Sequence, residues 1–117
     1  ETHFDADGSG GTFLTEKTFK AIKNAQPFVI FGPAGSLAQL KDLGYRTFDH
    51  VIDNSYDVIR DNNQRWLRVL NTVRQLVEGP DLSAWYQYCH DDICHNQQIF
   101  MGDLTPRLNK VIERILA

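Results

Sequence analysis

A chain of 117 residues, 42% hydrophobic and 23% charged, is sized for a single domain with a modest core. A formal charge of −3 offers no electrostatic footing for nucleic acid or an anionic membrane, so neither is expected as a partner. No apolar run is long enough to span a bilayer and no signal peptide is visible, while two cysteines make no disulfide framework. A cytoplasmic location is the simplest expectation.

The chain opens on Glu1 rather than methionine, and "ETHF" reads as a short strand, so a fragment of a longer protein is expected. The stretch "DADGSGGTFLTE" follows. It fits the calcium-loop template D-x-[DN]-x-[DN]-G-x₅-E, with Asp5, Asp7, Ser9 and Glu16 as oxygen ligands and Gly10 at the turn. An EF-hand also needs an entering helix and a paired second loop, and neither is visible. The same letters admit another reading. A glycine-rich loop with Gly8, Gly10 and Gly11, running from a strand into a helix capped by Thr15, is a phosphate-binding arrangement. Lys17 supports it, because a lysine in the first helical turn opposes the helix dipole. Glu16 beside it is placed to accept hydroxyl hydrogen bonds from a ribose. The plain alternative is a favourable first-turn acid next to a solvated lysine.

A helix is expected over about Glu16 to Asn24, with Phe19, Ile22 and Ala25 on one side. "PFVIFG" reads as a strand buried on both faces, bounded by Pro27 and by Gly32-Pro33. In the next helix Ser36 and Gln39 have capping-box spacing, Leu37, Leu40 and Leu43 share a side, and Gly44 closes the C-terminus. "YRTF" is a third short strand. Residues 1–50 thus read as βαβαβ, which predicts an α/β domain with a short parallel Rossmann-like sheet flanked by helices.

Residues 51–117 read as a helical part with a helical C-terminal tail. "SYDVIRD" makes one turn. Asp61 caps a helix through about Val77, whose apolar face is Trp66, Leu67, Leu70, Val73, Leu76 and Val77. Gly79-Pro80 breaks it. "DLSAWYQYCHDDICHNQQIFMG" is a further helix, and Thr105-Pro106 starts the last one.

Three other clusters carry chemistry-bearing side chains. In "CHDDICH", His90 and Cys94 share a helix face with Asp91 and His95 beside them, but the second ligand segment of a structural zinc site is missing, so no metal is expected. "FDHVIDNSYD" places Asp49, Asp53 and Asp57 near His50, a set that serves acid–base work or turns and caps equally well. Trp85, Tyr86 and Tyr88 read as packing onto the sheet.

"FLTEKTFKAIKNAQPFVIFGPAGSLAQLKDLGYRTFDHVIDNSYD" resembles a group of phage, marine viral and metagenomic proteins. Their pattern runs "TEKT-[FW]-K-x-I…PF…G-x-x-G-x-L-x-x-L-[KR]-x-L-G-[FY]-x-T-[FW]…DESYD", and they look like the donor-binding, C-terminal half of GT-B glycosyltransferases. "TEKTFKAI" also resembles the "SEK" helix start of fucosyltransferases. The resemblance covers roughly residues 12–60, with Asn54 where the pattern has Glu and Ala21 where it often has Pro. It implies that Glu16 holds the nucleotide ribose and Lys17 the diphosphate. It also implies a nucleotide sugar as ligand, no required cofactor, and the cytoplasm of a host cell if the source is viral. The catalytic base would lie in a missing N-terminal half, so the catalytic residues are unknown and the chain alone is expected to be inactive. Calcium binding or a structural role remains the alternative. An exposed sheet edge would also favour a homo-oligomer.

Overall fold

The computed structural model describes Leu14, residues 16–79 and residues 81–117, the side chains of residues 103–105 and 107 excepted. "ETHF" and the glycine-rich loop lie outside the described residues. Four α-helices follow in chain order: α1 (Glu16–Lys23), α2 (Ser36–Asp42), α3 (Asn62–Glu78) and α4 (Leu82–Leu116), with a 3₁₀ helix at Ser55–Val58 before α3. Among the described residues there is no strand. The expected α/β architecture with a short parallel Rossmann-like sheet is therefore overturned: the described chain is all-helical.

The reason lies in what satisfies the backbone. Buried peptide groups must find partners, and a sheet is only one source of them. Here side chains supply them. The Tyr56 hydroxyl accepts from Ile30 N–H at 3.1 Å. Asn96 of α4 brackets residue 46 on both sides, its Oδ1 accepting from Arg46 N–H at 2.7 Å and its Nδ2 donating to Arg46 C=O at 2.9 Å. Asn54 Nδ2 donates to Thr47 C=O at 2.7 Å, and His95 Nε2 to Gly44 C=O at 2.8 Å. Phe48 then adopts φ +63°, a left-handed conformation that ends any extended run at "YRTF". It is held there by burial and by an edge-to-face contact with Phe28, ring centroids 5.3 Å apart.

The run "PFVIF" is not buried on both faces as expected: Ile30 is buried, Phe28 and Val29 pack against the core, and Phe31 is exposed. Ile22, Ile30, Leu37, Leu40, Tyr45, Tyr56 and Val69 form one buried cluster. Phe48, Ile52, Cys89 and Ile93 form a second, and Phe28 and Val29 pack against both. Burial drives the Tyr56 phenol well above its ordinary range; the Ile30 N–H pulls the other way, and the Asp57 and Asp49 charges add to the rise.

Helix ends follow local chemistry in part. Asp61 caps α3, its side chain accepting from Gln64 N–H at 2.8 Å, as its spacing predicts. Gly44, at φ +96°, closes α2 in a Schellman motif: Tyr45 N–H reaches Leu40 C=O and Gly44 N–H reaches Lys41 C=O. The capping box expected at Ser36 does not form. Ser36 Oγ donates to Pro33 C=O at 2.7 Å, and Gly35, at φ +86°, occupies the cap position.

Two helical expectations are corrected. α4 runs through Pro106 as one helix of 35 residues, not two. The missing proline N–H costs one hydrogen bond without ending it. α3 faces the opposite way from its apolar pattern. Arg65, Val69 and Thr72 are buried, with Leu76 partly so, while Trp66, Leu67, Leu70, Val73 and Val77 are exposed. From Met101 onward every described side chain of α4 is exposed. The radius of gyration is 16.2 Å, against about 13 Å for a compact chain of this length.

Candidate functional site

Of the residues picked for the donor site and the calcium loop, Glu16 and Lys17 are described. Both are exposed and both stand in the first turn of α1. Asp5, Asp7, Gly8, Ser9, Gly10, Gly11 and Thr15 lie outside the described residues. Lys17, Thr18 and Ala21 form one wall of a groove of about 170 Å³, and Phe28, Val29 and Ile30 form the other. α1 and the "PFVIF" segment thus meet along this groove. Ligand pockets for drug-sized molecules run from roughly 300 Å³ upward, so this groove fits one moiety of a nucleotide and not a whole nucleotide sugar. The groove residues beyond Lys17 were missed in the sequence. The signal was present in "PFVIF", whose burial was read as a strand and not as the wall of a cleft.

The Asp49–Asp57 cluster is not assembled as an acid–base site. Asp53 Oδ1 accepts from Ser55 N–H at 3.1 Å, a turn-forming bond. Asp57 accepts from Leu37 N–H at 2.9 Å and from Ala38 N–H at 3.1 Å, so it caps α2 from a distance. His50 Nε2 donates to Tyr88 C=O at 2.7 Å, and its Nδ1 lies 3.5 Å from Asp92, tying the loop to α4. Asp49 meets Lys41 Nζ at 2.7 Å and accepts from Thr47 and Asn54 at 2.8 Å.

Burial pushes the Asp49 carboxyl up, but the bonds from Lys41, Asn54 and Thr47 together hold it below its ordinary value. Asp53 is lowered chiefly by its bonds to Ser55. A carboxyl depressed in the folded state stabilises the fold above its unfolded pKa of about 3.9 and loses that contribution as pH falls through the folded pKa. The protein should therefore lose stability below about pH 4. Asp49→Asn should flatten that decline, as read from urea midpoints by circular dichroism at a series of acidic pH values.

In "CHDDICH" the two cysteines differ. Cys89 is fully buried, and burial, with the Asp92 charge adding, pushes its thiol up to about 11, so it packs and does not react. Cys94 is partly exposed, with its Sγ 3.5 Å from His90 Nε2. Among the described residues no group of three or more His, Cys, Asp or Glu side chains comes together as a metal site. Of the aromatic set, Trp85 packs on the second core cluster, Tyr86 donates to Ala25 C=O at 2.8 Å, and Tyr88 is exposed.

No helix among the described residues is long and apolar enough to cross a membrane. Compared with known protein families, curated proteins and solved structures, the chain shows no match.

Proposed function

We propose that this chain binds a nucleotide sugar at the start of α1, as the donor-binding part of a glycosyltransferase-like protein. The single structural observation that supports the reading is the groove that runs from Lys17 to Ile30. It sets Lys17, in the first turn of a helix, opposite an apolar wall. A nucleoside diphosphate offers the matching parts: anionic oxygens for Lys17, a ribose for Glu16, and a flat apolar base. The reading needs no Rossmann-like sheet, since helix start and groove wall are enough. In transfer, Lys17 would meet the negative charge that develops on the departing diphosphate.

Because the groove takes only one moiety, binding by this chain alone should be weak. Amide NMR titration of the full chain with GDP and with UDP, in chelator, tests it. Lys17, Thr18 and Ile30 should shift, and Lys17→Ala should weaken binding about tenfold, the loss of one charge-assisted contact. Nucleotide binding that tolerates Lys17→Ala sinks the proposal. Silence toward nucleotide together with a saturable calcium response, abolished by Asp5→Ala, would assign "DADGSGGTFLTE" to calcium.

A further inference from the structure

Among the described elements α3 packs only on the 3₁₀ helix. Its buried positions are Arg65, Val69 and Thr72. Trp66, Leu70, Val73 and Val77 form a separate stripe, within about 60° of arc at about 100° per residue. Their spacing of four, three and four residues is that of the apolar seam along which helices pair. Leu67 and Arg74 border the stripe on one flank. Phe31 sets its ring edge-on to Trp66, centroids 6.1 Å apart, and holds the indole at one end.

The five apolar side chains Trp66, Leu67, Leu70, Val73 and Val77 are 40 to 78% exposed. They leave on the order of 500 Å² of surface open, a patch of the size that marks interaction sites. Two copies face to face would bury about 1,000 Å², with Asn63 and Arg74 adding at the rim, and this reaches the lower limit of a specific interface.

The stripe is also complementary to itself. Set antiparallel about a two-fold axis between Leu70 and Val73, two copies match layer by layer: Trp66 meets the partner's Val77, and Leu70 meets the partner's Val73. An isologous contact repeats each pair twice. Every layer then holds one large and one small side chain, the alternation that fills a core. A parallel pair would stack Trp66 on Trp66 and Val77 on Val77, overfull at one end and hollow at the other.

We propose that this chain forms a two-fold symmetric dimer in which α3 of each copy lies antiparallel on α3 of the other. The small interface makes it a weak dimer. The sheet edge expected to favour a homo-oligomer is not found among the described residues, and α3 supplies a different surface. The donor-site reading is not required, since no groove residue lies on α3.

Sedimentation equilibrium of the full chain, from micromolar to millimolar concentration, should show monomers and dimers in exchange. Leu70→Lys and Val77→Lys should each weaken the dimer at least tenfold and leave the monomer's urea midpoint unchanged, because both side chains are exposed. Val58→Lys, at an exposed valine of the 3₁₀ helix, should leave dimerisation unchanged. Orientation is read by NMR on a mixture of spin-labelled Glu78→Cys/Cys94→Ser chain with isotope-labelled wild type. The Trp66 amide should broaden and the Glu78 amide should not. A monomer throughout that range, which leaves the stripe to some other partner, overturns the proposal. So does dimerisation that survives both α3 variants or is lost in Val58→Lys, and so does broadening centred on Glu78.

Discussion

Arg65→Met should destabilise the protein by about 3–5 kcal/mol, the range seen when a buried charged hub is removed from its partners. Arg65 has no exposed surface. Its Nε donates to Gly32 C=O at 3.0 Å, and its Nη1 to Ile59 C=O at 2.9 Å and Arg60 C=O at 3.0 Å. Its Nη2 donates to Asn62 Oδ1 at 2.6 Å. One planar fork thus fixes the turn after "PFVIF", the exit from the 3₁₀ helix and the start of α3. Methionine comes close to the volume and leaves those oxygens without their donor. Against a total stability of roughly 5–15 kcal/mol, the loss is a large share. The urea midpoint followed by far-UV circular dichroism should fall by about 2 M, given slopes near 1–3 kcal/mol/M. Arg65→Lys should recover less than half of it. A single ammonium cannot reproduce a fork aimed in three directions.

Arg65 also marks where sequence reasoning loses its grip. On α3, Trp66, Leu70, Val73 and Val77 make a clean helical stripe, and so do Arg65, Val69, Thr72 and Leu76. Periodicity identifies the helix but cannot choose between its faces when the buried one carries an arginine and a threonine. The choice was made by acceptors up to 33 residues away, at Gly32. The same holds for the missing sheet. The apolar character of "PFVIF" was legible, but its burial is partial: Ile30 is buried, Phe28 and Val29 are half-buried, and Phe31 is exposed. Its hydrogen-bond partners were not legible, because they come from distant side chains such as the Tyr56 hydroxyl, 26 residues from Ile30. For "YRTF" the Asn96–Arg46 bracket spans 50 positions and involves a residue with no apolar signal. What succeeded was local. Asp61 reaches Gln64 and Gly44 closes α2 through contacts made within a few residues. At the candidate site the same division applies: Glu16 and Lys17 were legible as first-turn residues, whereas the groove wall at Phe28–Ile30 is a tertiary product. In α4, Thr105-Pro106 carried a valid helix-start signal that a continuous helix overrode.

Asp57→Ala should cost about 2–4 kcal/mol, although sequence alone leaves this aspartate a choice between turn or cap roles and acid–base work. α2 has seven residues, too few to persist without tertiary help, and its own cap position is a glycine with no side chain. Its first N–H groups need an acceptor. Asp57 supplies both carboxylate oxygens from the 3₁₀ helix, 2.9 Å from Leu37 N and 3.1 Å from Ala38 N, with its charge at the positive end of the helix. Its own C=O takes Gly35 N–H at 2.8 Å, a bond that any substitution keeps. Alanine therefore isolates the carboxylate: two donors lose their partner while the backbone link survives. An asparagine side chain at this position would accept from one donor and turn its NH₂ on the other, so Asp57→Asn should fall between wild type and Asp57→Ala. Urea midpoints give the ranking. Hydrogen exchange locates it, because Leu37 and Ala38 amides should lose protection well before those of α3. If Asp57→Asn matches wild type, the carboxylate is not what holds α2, and the burial of Leu37 and Leu40 must hold it alone.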